Sequence, residues 1–350
     1  MAIIAIIILI EAGRRVLGLA LSLIAVIFLA YDFLGPYMPE LIIHKGASLN
    51  KIAGHMFLTT EGIFGVPLGV SAGFVFLFVL FGSLLDKAGA GEYFINLAFS
   101  MLGKYRGGSA KASIIASGFI GIMSGSSIAN TVTTGTFTIP LMKRTGFRAE
   151  QAAAVEVSAS SNGQLMPPVM GAAAFIMGEF LGMAYTDVVI AAFIPAFVAY
   201  FGLFYIIHLE ALKLGLKGMD DEDIPPKWKT FIQGIHYLIP IMFLLYTLVV
   251  LRESAASAAF NAIMLLMVLM VVQHPFRAIL AKEKLTRDIW LSGFVDILAG
   301  MISGAKNMVP IAIATALAGI VVGTITLTGL GQVLLDVVET LADGNIFAIL

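Results

Sequence analysis

The chain of 350 residues has no cysteine, which excludes disulfides, thiol nucleophiles and cysteine-held metals. Charge is scarce as well. Only 12% of the residues are Asp, Glu, Lys or Arg, against roughly a quarter in a typical soluble domain. The formal net charge is −1, so neither sign is in excess, and nothing in the balance points to nucleic acid or an acidic partner. Also missing are a His-Glu-x-x-His zinc motif, a Walker loop and a nucleotide fingerprint, so any work done by this chain is powered by something other than ATP bound to it. What is plentiful is apolar surface: 59% of the residues are hydrophobic and the mean hydropathy is +0.97. No soluble core absorbs that much. The composition predicts an all-α integral membrane protein in contact with lipid.

Residues 1 to 10 are apolar, but the basic pair Arg14 and Arg15 follows them, whereas a signal peptide places its positive charge first. Ten residues are also too few to cross a hydrocarbon core, which takes about 20. They read as the tail of a helix or as membrane-surface sequence.

Stretches free of Asp, Glu, Lys and Arg run over 16 to 31, 62 to 85, 112 to 142, 157 to 178, 188 to 209, 230 to 251, 254 to 276 and 307 to 335. A further apolar segment, 289 to 305, contains Asp296. Most are one membrane thickness long. Two are too long for one helix and carry small polar residues in their middle: Ser124-Gly125-Ser126-Ser127-Ile128-Ala129-Asn130, and Gly323-Thr324-Ile325-Thr326-Leu327-Thr328-Gly329. Each reads as a re-entrant helical hairpin whose turn lies near mid-membrane, where non-helical backbone survives only against protein or a water-filled cavity.

Charge tests this map, because cytoplasmic loops carry the excess of Lys and Arg. With 112 to 142 turning back and 149 to 180 crossing, 17 of the 21 basic residues fall on one side. Making 112 to 142 a full crossing would instead split the clusters at 87 to 111 and 213 to 229 between opposite faces. On this map the hairpin at 307 to 335 enters from the other side, the sign of an inverted repeat. The predicted organisation is a terminal region at 1–60, a first repeat at 61–210, a cytoplasmic loop at 211–229 and a second repeat at 230–350.

The segment after the first hairpin contains Ser158-Ala159-Ser160-Ser161-Asn162-Gly163-Gln164-Leu165-Met166-Pro167-Pro168. Two prolines remove two backbone donors and Ser-Asn-Gly favours a turn, so the helix at 149 to 180 is predicted to break there. Freed carbonyls with Ser, Thr and Asn oxygens suit a small hard cation such as sodium, and the N-terminus of the resumed half-helix suits a carboxylate. The plainer alternative is a proline kink whose hydroxyls bond backbone within one helix. Glycines four apart, as at Gly65, Gly69 and Gly73, or Gly319 and Gly323, read as packing faces. Glu156 and Asp296 are acids in apolar sequence, either functional or simply solvated or paired. His208 and His236 read as interfacial. Two other classes stay open: a channel, and an intramembrane hydrolase, against which stand Ile122-Met123-Ser124-Gly125 in place of Gly-x-Ser-Gly and the lack of a mid-membrane histidine.

The run from Ser124 to Lys143, followed by Gly163-Gln164-Leu165-Met166-Pro167-Pro168-Val169-Met170-Gly171, strongly resembles the large membrane subunit of tripartite ATP-independent periplasmic (TRAP) transporters. More narrowly it resembles the fused permeases that pair with TAXI-type substrate-binding proteins. Glu61 to Gly69, Tyr105-Arg106-Gly107-Gly108 and Gly323 to Gly331 fit the same family. The resemblance implies an ion-transporter-like fold with an elevator mechanism, sodium coupling, a periplasmic TAXI-type binding protein as partner, and small organic anions as substrates, in a bacterial or archaeal inner membrane. No catalysis is implied. By motif match, Ser126, Asn130, Gly163 and Pro167 surround one sodium, and Gly323, Thr324 and Thr328 contribute to a second. Ser127, Thr131, Ser161, Asn162 and Gln164 complete the candidate ion- and substrate-binding set. The resemblance also implies a chain incomplete at both ends, with only the last part of a small-subunit region and a truncated second repeat.

Single cysteines introduced at Arg106 and Lys143 should both react with an impermeant label only from the cytoplasmic side. Opposite accessibility would make 112 to 142 a spanning segment and remove the hairpin.

Overall fold

The computed structural model describes residues 1–280 and 286–342, and every regular element in them is helical. The first helices are α1 (Ala2–Val16), α2 (Leu19–Leu34), α3 (Leu49–Leu58) and the short α4 (Val66–Val70). Next come α5 (Phe76–Lys87), α6 (Ala90–Leu102), α7 (Gly108–Ser124), α8 (Ser127–Arg144), α9 (Ala149–Asn162) and α10 (Ala172–Leu181). The chain continues through α11 (Tyr185–Lys213), α12 (Lys227–Gly234), α13 (Leu238–Leu245), α14 (Ala255–Leu280), α15 (Arg287–Thr328) and α16 (Leu330–Ala342). Among the described residues, six helical stretches are long and apolar enough to cross a membrane.

The helices gather into two compact units, one made of residues 1–73 with those described from 308 onward, the other of residues 74–307. In the first unit, Ile6, Ala25, Ile52, Met56, Ile63 and Leu317 bring α1, α2, α3 and α15 around one core. The basic pair after α1 is not free: both Arg14 and Arg15 donate to Glu11 at 2.7 Å.

The second unit is organised by α7. Gly108, Ala110, Ala112, Ser113, Ala116, Ser117, Gly118 and Gly121 keep this helix slim, and it is buried on nearly every side. Small side chains let neighbouring backbones come close, which is how helices pack where lipid removes any hydrophobic drive between them. One face meets α6 through Ile95, Ala98 and Phe99, and another meets α8, α9 and α11 through Met142, Val155, Tyr200 and Ile207. The approach of α5 is closest: a Cβ on Gly82 would lie 1.7 Å from the Met123 carbonyl oxygen.

The first expected hairpin is present as α7 and α8, longer at each end than the charge-free run. The helix expected at 149 to 180 is indeed interrupted, as α9 and α10 with irregular chain between. The second expected hairpin is corrected. Instead of a segment at 289 to 305, a loop at Lys306 and a hairpin at 307 to 335, one helix runs from Arg287 to Thr328. Its polar run stays helical because the threonines satisfy their own helix: Thr328 Oγ1 donates to the Thr324 carbonyl at 2.7 Å and Thr326 Oγ1 to that of Gly323 at 3.0 Å. Gly319 and Gly323 serve close packing on Gly62 and Ile63, not a turn. Gly69 and Gly73, grouped with them by spacing, have open space where a Cβ would stand.

The chain turns only at Gly329, whose φ of 74° is left-handed, and α16 follows. A left-handed glycine, Gly89 with φ 102°, likewise precedes α6.

Gly82→Ala should lower the unfolding midpoint in detergent, by an amount equal to about 1–3 kcal/mol, because a backbone oxygen cannot yield to the added methyl. Gly202→Ala, in α11 with nothing within 4 Å of its would-be Cβ, should be neutral or slightly stabilising.

Candidate functional site

The turn between α7 and α8 is made by Gly125 in a left-handed conformation, φ 56°, followed by Ser126, whose hydroxyl accepts the Ala129 amide at 3.3 Å and caps α8. Opposite it, α9 tightens through Gly163–Leu165, turns through Pro167–Val169 to Met170, whose φ of 51° is left-handed, and resumes as α10, capped by Gly171. Hairpin tip and helix break touch through backbone. A Cβ on Gly125 would stand 2.2 Å from the Met170 carbonyl oxygen, and one on Gly121 would stand 2.5 Å from Gly163 Cα. Glycine is required at both by proximity alone.

Side chains then knit the two together. Gln164 Nε2 donates to Ser127 Oγ at 2.9 Å. Asn130 is fully buried, lies against Gly163 and donates its amide to the Ser117 carbonyl at 2.9 Å. Its Oδ1 has no hydrogen-bond partner among the described residues. Thr131 and Asn162 are half-buried and Ser161 is exposed, and none of the three makes a side-chain hydrogen bond among the described residues. Pro167 is buried in the break.

The break leaves fewer free carbonyls than its prolines suggest. Tyr185, at the start of α11, donates its hydroxyl to the Pro168 oxygen at 2.6 Å, with the Val169 oxygen 3.2 Å away, and the Gly171 amide returns to the Gln164 carbonyl at 2.8 Å. The Tyr185 ring is held by Phe175, stacked at 4.5 Å between centroids, and by Phe78 at 5.5 Å. Sequence reasoning missed Tyr185 altogether, since nothing in its neighbourhood marks a partner for a break some 17 residues earlier.

Glu156 is where the structure goes furthest beyond the sequence. It is fully buried and receives hydroxyls from three helices: Ser117 on α7 at 3.3 Å, Thr134 and Thr138 on α8, the latter at 2.5 Å, and Ser160 on its own helix at 3.1 Å. The signal was available in part, because Thr134 and Thr138 are one turn apart and so share a face of α8. Asp296, the other apolar-sequence acid, is paired instead with His274 at 2.7 Å. His208 Nδ1 accepts from Lys111 Nζ at 2.9 Å, and His236 lies 3.4 Å from Gln273 Oε1.

The second candidate group lies in the first unit. The Gly323 carbonyl accepts from His55 Nε2 at 3.0 Å, Thr324 donates to Asp32 Oδ2 at 3.1 Å, and Thr328 bonds back within the helix. Asp32, which sequence reasoning did not single out, is fully buried.

The donor set at the hairpin tip is oxygen: an unpaired amide carbonyl in Asn130 and the Ser126 hydroxyl. Among the described residues no cluster of His, Cys, Asp and Glu is arranged for a transition metal. A buried acceptor without a donor costs about 1–3 kcal/mol, and a hard cation such as sodium relieves that cost. The residues therefore fit a small monovalent cation.

Residues 4–350 match the family model described as tripartite ATP-independent periplasmic transporter, DctM component. The chain belongs to this family. It is a multi-pass inner-membrane protein of the TRAP large permease family. It is 32% identical over 131 residues to the C4-dicarboxylate TRAP transporter large permease protein DctM of Vibrio cholerae, covering 37% of this chain and 27% of that one. The 2,3-diketo-L-gulonate TRAP transporter large permease protein YiaN of Escherichia coli is 23% identical over 193 residues, 53% of this permease and 44% of its own length. The sialic acid TRAP transporter permease protein SiaT of Haemophilus influenzae is 30% identical over 138 residues, 39% of this permease and 22% of its own length. The permease thus matches less than half the length of each of these relatives.

Tyr185→Phe keeps the ring and its stacking but leaves the Pro168 and Val169 carbonyls without their donor. Thermal unfolding should register a loss of about 1–3 kcal/mol, and an unchanged midpoint would mean that water reaches the break.

Proposed function

We propose that this permease works in a sodium-coupled secondary transporter that imports small organic anions delivered by a periplasmic binding protein. The carrying observation is the buried, unpartnered Asn130 oxygen where the hairpin tip meets the helix break. We read the hairpin as re-entrant, because the basic residues at both its ends then share one face, and Ser126, Asn130, Gly163 and Pro167 as the surroundings of the ion. A bound cation supplies positive charge beside the tip; Asn130 turns its oxygen toward that charge, and Ser127 and Gln164 keep tip and break together. The N-terminus of α10, opening at Gly171 toward the break, favours a carboxylate by its helix dipole.

The substrates in the relatives' names, a C4-dicarboxylate, a diketogulonate and sialic acid, are all carboxylates, which supports that class for this chain. The fused-permease resemblance supports a TAXI-type binding protein as partner. A second sodium at Gly323, Thr324 and Thr328 is less well supported, because two of these groups are already engaged by His55 and Asp32.

Uptake of a labelled C4-dicarboxylate into proteoliposomes, with a TAXI-type binding protein outside, should rise with an inward sodium gradient and fall at least about tenfold in Asn130→Ala. Uptake indifferent to sodium but driven by a proton gradient would overturn the sodium reading.

A further inference from the structure

The Glu156 carboxylate is not used by the site as described, although it shares α9 with Ser161 and Asn162 and contacts Ser117, which holds Asn130. It is fully buried, and among the described residues no Lys, Arg or His forms an ion pair with it. Burying a carboxylate costs several kcal/mol unless partners replace its water. Here the partners are the four hydroxyls of Ser117, Thr134, Thr138 and Ser160, and no basic side chain. Hydroxyls offset lost hydration but bring no positive charge. If the nest served only to fasten α7, α8 and α9, a neutral amide would do the same at lower cost.

Two of the four donors also hold Asn130. The Ser117 hydroxyl points at Glu156 while its carbonyl accepts the Asn130 amide at 2.9 Å. The Thr134 hydroxyl contacts Glu156 and also lies 2.8 Å from the Asn130 main-chain carbonyl oxygen. Ser117 thus links Glu156 to the Asn130 side-chain amide, and Thr134 links it to the Asn130 main chain. Gly135 admits the acid, with its would-be Cβ 3.2 Å from Glu156 Cγ.

We propose that Glu156 is the positioning residue of the cation site at the hairpin tip: it sets the Asn130 amide through Ser117, holds the Asn130 main chain through Thr134, and supplies the negative charge that offsets the bound cation. This rests on the cation reading of the tip. A unit charge about 6–8 Å away changes cation affinity by about 30-fold to 100-fold at an effective dielectric of about 20.

The test uses the 350-residue chain in lipid nanodiscs, with sodium chloride titrated against choline chloride and binding followed by calorimetry and by the unfolding midpoint. Wild type should bind sodium. Glu156→Gln, which keeps size and hydrogen-bonding capacity, should keep its midpoint in choline and lose sodium affinity by about 30-fold or more. Glu156→Asp, which keeps the charge but shortens the reach, should be less stable yet bind sodium within about tenfold of wild type. A purely structural role predicts the reverse order, with the amide the better replacement in both readouts. Equal sodium affinity in wild type and Glu156→Gln overturns this inference alone. No sodium response in wild type overturns the cation reading and this inference with it. Should Glu156→Gln not fold, Glu156→Asp decides: affinity near wild type supports the role, and its loss overturns it.

Discussion

A polar backbone group removed from water must find its partner within the protein, and the architecture of the second unit follows from that requirement. Turning the chain between α7 and α8 exposes helix ends, and interrupting the helix between α9 and α10 exposes more. Each irregularity is laid against the other, so that Gly125 closes on Met170 and Gly121 on Gly163. The remainder is met by Ser126 at one end and Tyr185 at the other. The slimness of α7 makes this possible, since a bulky residue at Gly121 would hold tip and break apart.

Much of this could be read from the sequence. A hairpin at 112 to 142 followed from a charge-free run too long for one crossing with Ser-Gly-Ser-Ser at its centre, and the break from two consecutive prolines. The same reasoning failed at 307 to 335, although that run is similarly long and polar. The difference lies in which small residues are used. In the first run glycine is followed by serines, one of which serves as a cap; in the second, threonines alternate with isoleucine and leucine, and Thr326 and Thr328 bond back to their own helix while Thr324 donates to Asp32. Length and polarity show that a run is unusual, but the hydroxyl's local partner decides whether it bends.

The buried acids show the limit of reading a sequence in one dimension. Glu156 and Asp296 look alike as isolated carboxylates in apolar stretches. In space one is enclosed by hydroxyls from three helices and the other is paired with a histidine. Neither environment is local: Ser117 lies 39 residues before Glu156, and His274 lies 22 before Asp296. Asp32 and Thr324 meet across an even longer interval of sequence, 292 residues.

The hold of Tyr185 on the break has a mechanical consequence. The hydroxyl that satisfies Pro168 and Val169 belongs to the first turn of the 29-residue α11, and its ring is wedged between Phe78 and Phe175. The irregular chain is therefore braced from behind and not left as a hinge. Any displacement of residues 166–171 that preserves these bonds must carry the head of α11 and the aromatic wedge along.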